Sequence, residues 1–178
     1  AYNKHWHTLG ISIGSGHNTL PPYNDVLSGV PHVCFKVPTG GGKTLLACAS
    51  IKHIFDGIGA LNTKAVVWLV PSTAILEQTI AHLRDPQDPY RQQINFDFGA
   101  RVEVYDGTQA LNGQALSPSS VRENLSIFVL TYDSLRITRK EGRKIYQENG
   151  NLAQFVSHYS DRDALVPSVD ATALIQVI

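Results

Sequence analysis

The sequence predicts an α/β fold built on a doubly wound parallel sheet, and three observations predict it. The stretch "AVVWLV" (65–70) is apolar without alternation, the pattern of a strand buried on both faces. The segments before and after it, 43–58 and 72–85, carry apolar residues at three- and four-residue steps, as helices with one buried face do. Strand-like and helix-like stretches alternate along the chain, which implies βαβ units joined by right-handed crossovers.

Taken in order, residues 1–30 read as an irregular lead-in. Pro21, Pro22 and several Gly, Asn and Ser break any periodicity, with one short helix expected near Tyr23–Leu27. Residues 31–178 then form an incomplete nucleotide-type α/β domain. Its first strand is expected at "HVCFKV" (32–37) and its first helix at "KTLLACASIKHIFDGI" (43–58), which Gly57 and Gly59 end. Ser72 stands where it would cap the helix of 72–85, whose apolar face is Ile75, Leu76, Ile80 and Leu83. "RVEVYDG" (101–107) is a shorter strand, and "LSIFVLTYDSL" (125–135) is an apolar strand running into polar residues. "LAQFVSHYS" and "VDATALIQVI" read as short helices.

Composition narrows the class. The 178 residues are 43% hydrophobic, enough for a real core, and Lys plus Arg equals Asp plus Glu at 15 each. A balanced charge gives no long-range pull toward nucleic acid or an anionic membrane, so any nucleic-acid contact must be local. Cys34 and Cys48 lie in apolar segments without ligand-like spacing, as reduced, buried thiols of a cytoplasmic protein would. No apolar run reaches the length of about 18–20 residues that crosses a bilayer. The chain starts at Ala1 and holds no methionine, so we expect a fragment of a longer protein.

The chemistry concentrates in "KVPTGGGKTLL" (36–46). Each glycine lowers helix or strand stability by roughly 0.5–1 kcal/mol relative to alanine, so three in a row need a reason. Wrapping phosphate is such a reason. Backbone N–H groups of Gly40, Gly41, Gly42, Lys43 and Thr44, with Thr39 before them, can turn toward one anion, and the helix that follows adds its positive end. Lys43 would reach the β and γ phosphates of ATP, and Thr44 would give its hydroxyl to Mg²⁺. The bland reading is a surface loop at a helix start that binds nothing. The general pattern G-x-x-x-x-G-K-[ST] has Gly at its first position, where this chain has Val37.

"PTGGGKT" (38–44) resembles motif I of the superfamily 2 helicases, in which that leading glycine is commonly replaced. "VVWLVPSTAILEQT" (66–79) resembles their motif Ia, and "FVLTYDSL" (128–135) the strand-end segment that follows. With "LPPYNDVLSGVPHVCFKVPTGGGKT" (20–44), the chain is most similar to the helicase part of type III restriction enzyme (Res) subunits and their DEAD-like relatives. The resemblance implies a P-loop RecA-like fold, here a partial first motor domain, from an ATP-driven translocase on double-stranded DNA. It implies DNA-backbone contacts by Pro71, Ser72, Gln78 and Thr131, with Asp133 nearby. Their structural alternatives are a helix cap, a solvated helix residue and a strand-closing turn. An upstream Gln recognises adenine in such helicases, and Asn24 could mimic that amide while Tyr23 stacks on the base; a simple turn beside two prolines is the other reading. The resemblance further implies a second motor domain and, as partner, a modification (methyltransferase) subunit.

Arg136, Arg139, Lys140, Arg143 and Lys144 form either a DNA-steering cluster or a solvated loop. His5 and His7 flank Trp6, without a carboxylate or cysteine at ligand spacing. ATP hydrolysis in this class also needs an Asp-Glu pair after an apolar strand, and none is present; "DRDAL" and "SVDATALI" lack the strand. We therefore expect the pair beyond Ile178 and negligible turnover by this piece alone. A P-loop phosphotransferase, a nucleotide-binding switch, or an interaction domain that binds no ATP remain as alternatives at this point.

Overall fold

The structure, a computed structural model, describes residues 2–23, 30–135, 144–159 and 165–178. The chain divides into two compact units, Ala1–Gly41 and Gly42–Ile178. In the first, helix α1 (Tyr2–Thr8) is followed by a bridge between Ile13 and Leu20, closed by the Leu20 N–H donating to the Ser12 carbonyl at 2.9 Å.

The expected first strand does not form: residues 32–37 pair with no strand, and Val33 and Phe35 are 70% and 61% exposed. A short apolar run suits a strand, but a strand exists only through its ladder. Cys34 is exposed for the same reason, which corrects the expectation of a buried thiol there; Cys48 is buried as expected. The short helix expected near Tyr23–Leu27 falls, past Tyr23, outside the described residues.

The second unit is α/β. Helix α2 (Lys43–Ile58) leads to β1 (Lys64–Val70), α3 (Thr73–Arg84), α4 (Pro89–Phe98) and β2 (Val102–Asp106). Then come α5 (Gly107–Asn112), α6 (Pro118–Glu123), β3 (Leu125–Thr131) and the single turn α7 (Tyr132–Leu135). Two 3-10 helices, Lys144–Tyr146 and Gly150–His158, and the short α8 (Leu174–Val177) complete the described elements. The strand expected at 125–135 thus ends at Thr131. The three strands are parallel in the order β1-β3-β2, with Lys64 opposite Leu125 and Val70 opposite Thr131.

Central β3 explains the architecture. Its side chains alternate between faces, and Leu125–Leu130 are all buried. Ile127 and Val129 join Cys48 and Ile51 of α2, Ile80 and Leu83 of α3 and Ile94 of α4 in one core. Phe128 and Leu130 join Ala110 of α5, Val121 of α6, Leu152, Phe155 and Leu174 in another. Helices therefore cover both faces of a parallel sheet, as a partial P-loop RecA-like domain requires. β1 has a neighbour on one side only among the described residues.

Polar ties fix the layers. The Arg91 guanidinium donates to the Leu83 and Val102 carbonyls at 2.9 and 2.8 Å, joining α3, α4 and β2. Arg84 donates to the Val104 carbonyl and to Asp106, at the capping box that Asp106 and Gln109 form on α5. No helix among the described residues is long and apolar enough to cross a membrane.

Candidate functional site

Helix α2 starts where the glycine cluster ends. Gly42 occupies its N-cap with φ 75°, a left-handed conformation that a β-carbon disfavours. No side chain caps the helix, and its first turn holds no acidic residue. The first turn of the helix is closed by the Leu46 N–H donating to the Gly42 carbonyl at 2.9 Å. A helix of 16 residues concentrates a partial positive charge there. Exposed Lys43 and half-buried Thr44 stand in that first turn. Amide donors, an ammonium and a hydroxyl suit a phosphate oxyanion and a magnesium ion.

In the first unit, Thr39 and Gly40 form a turn, with Gly40 at φ 78°. The Gly41 N–H donates to the Pro38 carbonyl at 3.0 Å, and a β-carbon on Gly41 would lie 2.7 Å from Val37 Cγ1. Tyr23 accepts a hydrogen bond from the His32 N–H at 2.6 Å and lines a cavity of about 740 Å³ with Trp6, Cys34 and Phe35. The sequence did not mark Trp6, His32 or Phe35 as neighbours of Tyr23, because only the fold brings these distant positions together. Asn24 lies outside the described residues.

The other candidates meet at the carboxyl edge of the sheet. Val70 is opposite Thr131, so Pro71 and Ser72 leave β1 beside the end of β3. Ser72 is the N-cap of α3, its Oγ accepting from the Ile75 N–H at a long 3.4 Å. Thr131 Oγ1 lies 3.1 Å from Ser134 Oγ. Gln78 is exposed on α3, six residues beyond Ser72 and so about 9 Å farther along the helix. Asp133 is exposed in α7. The basic residues Arg136, Arg139, Lys140 and Arg143 lie outside the described residues. His5 meets the edge of Trp6, and the described residues hold no group of three or more His, Cys, Asp or Glu arranged for a metal.

Comparison with curated proteins and with solved structures gives no match. The sequence pattern of one family, the type III restriction enzyme, res subunit, matches residues 17–160. That span runs from the lead-in through the glycine cluster, the sheet and the carboxyl-edge residues, well over half of the chain. The chain belongs to the type III restriction enzyme res-subunit family, with its helicase-like, ATP-hydrolysing character.

Proposed function

We propose that this chain is the ATP-binding front of a DNA motor from a restriction enzyme. The observation that carries the reading is the start of α2, a Lys-Thr pair in a helix turn that lacks both a side-chain cap and a carboxylate. Bound Mg-ATP supplies the phosphoanhydride whose cleavage drives such motors. The N–H groups of Gly42, Lys43 and Thr44 donate to phosphate oxygens, Lys43 offsets their charge, and Thr44 offers its hydroxyl to the metal. Thr39, Gly40 and Gly41 complete the wrap, the Gly41 N–H once its bond to Pro38 opens. Tyr23 stacks on the base and Asn24 bonds its edge.

Pro71, Ser72, Gln78 and Thr131 hold a DNA strand by its backbone, which a chain of balanced charge does through local amide and hydroxyl donors. Double-stranded DNA, a second motor domain and a modification subunit are the partners in the parent enzyme. Since no Asp-Glu pair follows an apolar strand in these residues, the chain alone holds nucleotide without turning it over.

Thermal melting tests the binding. Ligand at 100 times its Kd stabilises by about 2.7 kcal/mol. With roughly 2–4 °C per kcal/mol for a domain of this size, Mg-ATP should raise Tm by about 5–11 °C. Lys43→Ala should remove most of that shift. An equal shift in both proteins would show that Lys43 does not touch phosphate.

A further inference from the structure

Two departures from the general phosphate-loop pattern meet at one contact. The pattern G-x-x-x-x-G-K-[ST] asks for glycine at the place of Val37 and leaves the place of Gly41 open, so this chain has a valine where glycine is expected and a glycine where none is required. Backbone conformation explains the neighbouring glycines, Gly40 at φ 78° and Gly42 at φ 75°. Gly41 is not among the glycines of positive φ, so its backbone alone would admit a side chain. Space forbids one. A β-carbon on residue 41 would lie 2.7 Å from Val37 Cγ1, 3.0 Å from the Pro38 carbonyl oxygen and 3.3 Å from Pro38 Cγ.

These neighbours do not yield easily. Val37 is half-buried and branches at its own β-carbon, so its methyl groups move only by a turn about χ1. The Pro38 carbonyl accepts the Gly41 N–H at 3.0 Å, and the proline ring fixes φ at that residue. Gly40 is the third of the four turn residues, where a positive φ suits glycine. Pro38–Gly41 therefore bend back toward Val37, whose Cγ1 is the shortest of the three contacts a β-carbon would meet.

We infer that Val37 and Gly41 form a size-matched pair, and that Val37 is a positioning residue for phosphate binding. Its methyl group occupies the room that the missing β-carbon leaves and holds the Pro38–Gly41 turn in the bend that wraps phosphate. This role rests on the nucleotide reading above, and it adds to that site a residue that touches no phosphate. A larger residue 41 beside valine pushes the turn out of shape. A smaller residue 37 makes room for it.

A double-variant cycle on the affinity for Mg-ATP, read by isothermal titration, tests the pair. Gly41→Ala should weaken binding about tenfold, the scale of one overpacked methyl group. Val37→Ala alone should weaken it by roughly two- to threefold, as the turn loses its support. Introduced into the Val37→Ala protein, Gly41→Ala should weaken binding only about threefold further, because the Pro38 contacts remain while the valine contact is gone. Melts without nucleotide should stay within about 2 °C of the wild type, since residues 38–41 are exposed. An equal loss from Gly41→Ala in both proteins, or no loss from it at all, would overturn the pair and leave the nucleotide reading standing. So would a lowered melting point with unchanged affinity, the mark of a merely structural contact. A wild-type chain that takes up no Mg-ATP would instead bring down the nucleotide reading, and the positioning role with it.

Discussion

Gly113→Ala probes how the C-terminal elements are seated on the sheet. Gly113 ends α5 at φ 69°, and a β-carbon there would lie 2.8 Å from Leu152 Cδ2 and 2.9 Å from Leu152 Cγ. Leu152 is fully buried in the 3-10 helix Gly150–His158, so it has little room to give. The left-handed backbone costs alanine about 1–2 kcal/mol, and overpacking adds about 1–3 kcal/mol. Reduced freedom of the unfolded chain returns about 0.4–1 kcal/mol. The net loss is about 3 kcal/mol, or a Tm lowered by roughly 6–12 °C. Gly99→Ala is the matched control, since its φ is 63° and nothing lies within 4 Å of its added carbon. It should cost only about 1 kcal/mol, from the backbone alone. Circular dichroism melts of the two variants decide the matter. Leu152→Ala adds a second check: combined with Gly113→Ala, it should cost less than the two single losses together, by about 1–3 kcal/mol. Equal destabilisation by Gly113→Ala and Gly99→Ala, with additive double-variant losses, would refute the steric reasoning.

Other expectations concern single groups. Burial pushes the Cys48 thiol up to about 11, with the Asp88 charge adding to the effect, whereas Cys34 is exposed. Ellman's reagent at pH 8 should therefore titrate one thiol in the folded protein and two in denaturant. The Asp88 carboxyl is held below its ordinary 3.8 chiefly by hydrogen bonding to His82, with desolvation opposing it and the Tyr90 N–H adding to the lowering. A depressed carboxyl binds more protons unfolded than folded, so its stabilisation is present above about pH 4 and disappears as pH falls through the lower folded value. Asp88→Asn keeps a capping oxygen on α4 and should flatten the acid limb of stability measured by urea unfolding at graded pH. Arg91→Ala strips the Leu83 and Val102 carbonyls of their shared donor and should cost about 2–4 kcal/mol, with Arg91→Lys a poor rescue because an ammonium lacks the fork. An Arg91→Ala melt indistinguishable from the wild type would show that water replaces the guanidinium.

What could be read in advance follows from where the signal resides. α2 was legible over Lys43–Ile58 because its apolar period is sustained and glycines stand at both ends. β1 and β3 were legible because continuous apolar runs suit a buried parallel strand. α4 was missed because only Ile94 is buried among its ten residues, leaving little periodicity. α5 and α6, at six residues each, are too short to show a period. Their ends were nevertheless marked: Asp88-Pro89 and Ser117-Pro118 set a cap before a proline at the first helical turn, and Asp106 with Gln109 makes a capping box. Residues 32–37 failed in the opposite sense, since a local apolar run says nothing about whether a neighbour offers a ladder. The start of α2 was visible as a motif.

The one-sided pairing of β1 has a physical consequence for handling the chain. Among the described residues, no strand pairs with the outer edge of Lys64–Val70, where Val67 is 40% exposed and a charge stands only at the first residue. Natural sheets interrupt such margins with lysines, prolines or bulges, and this one has none of them past Lys64. Concentrated stocks should accordingly grow turbid by margin-to-margin stacking of chains, faster with added salt and more slowly in dilute solution.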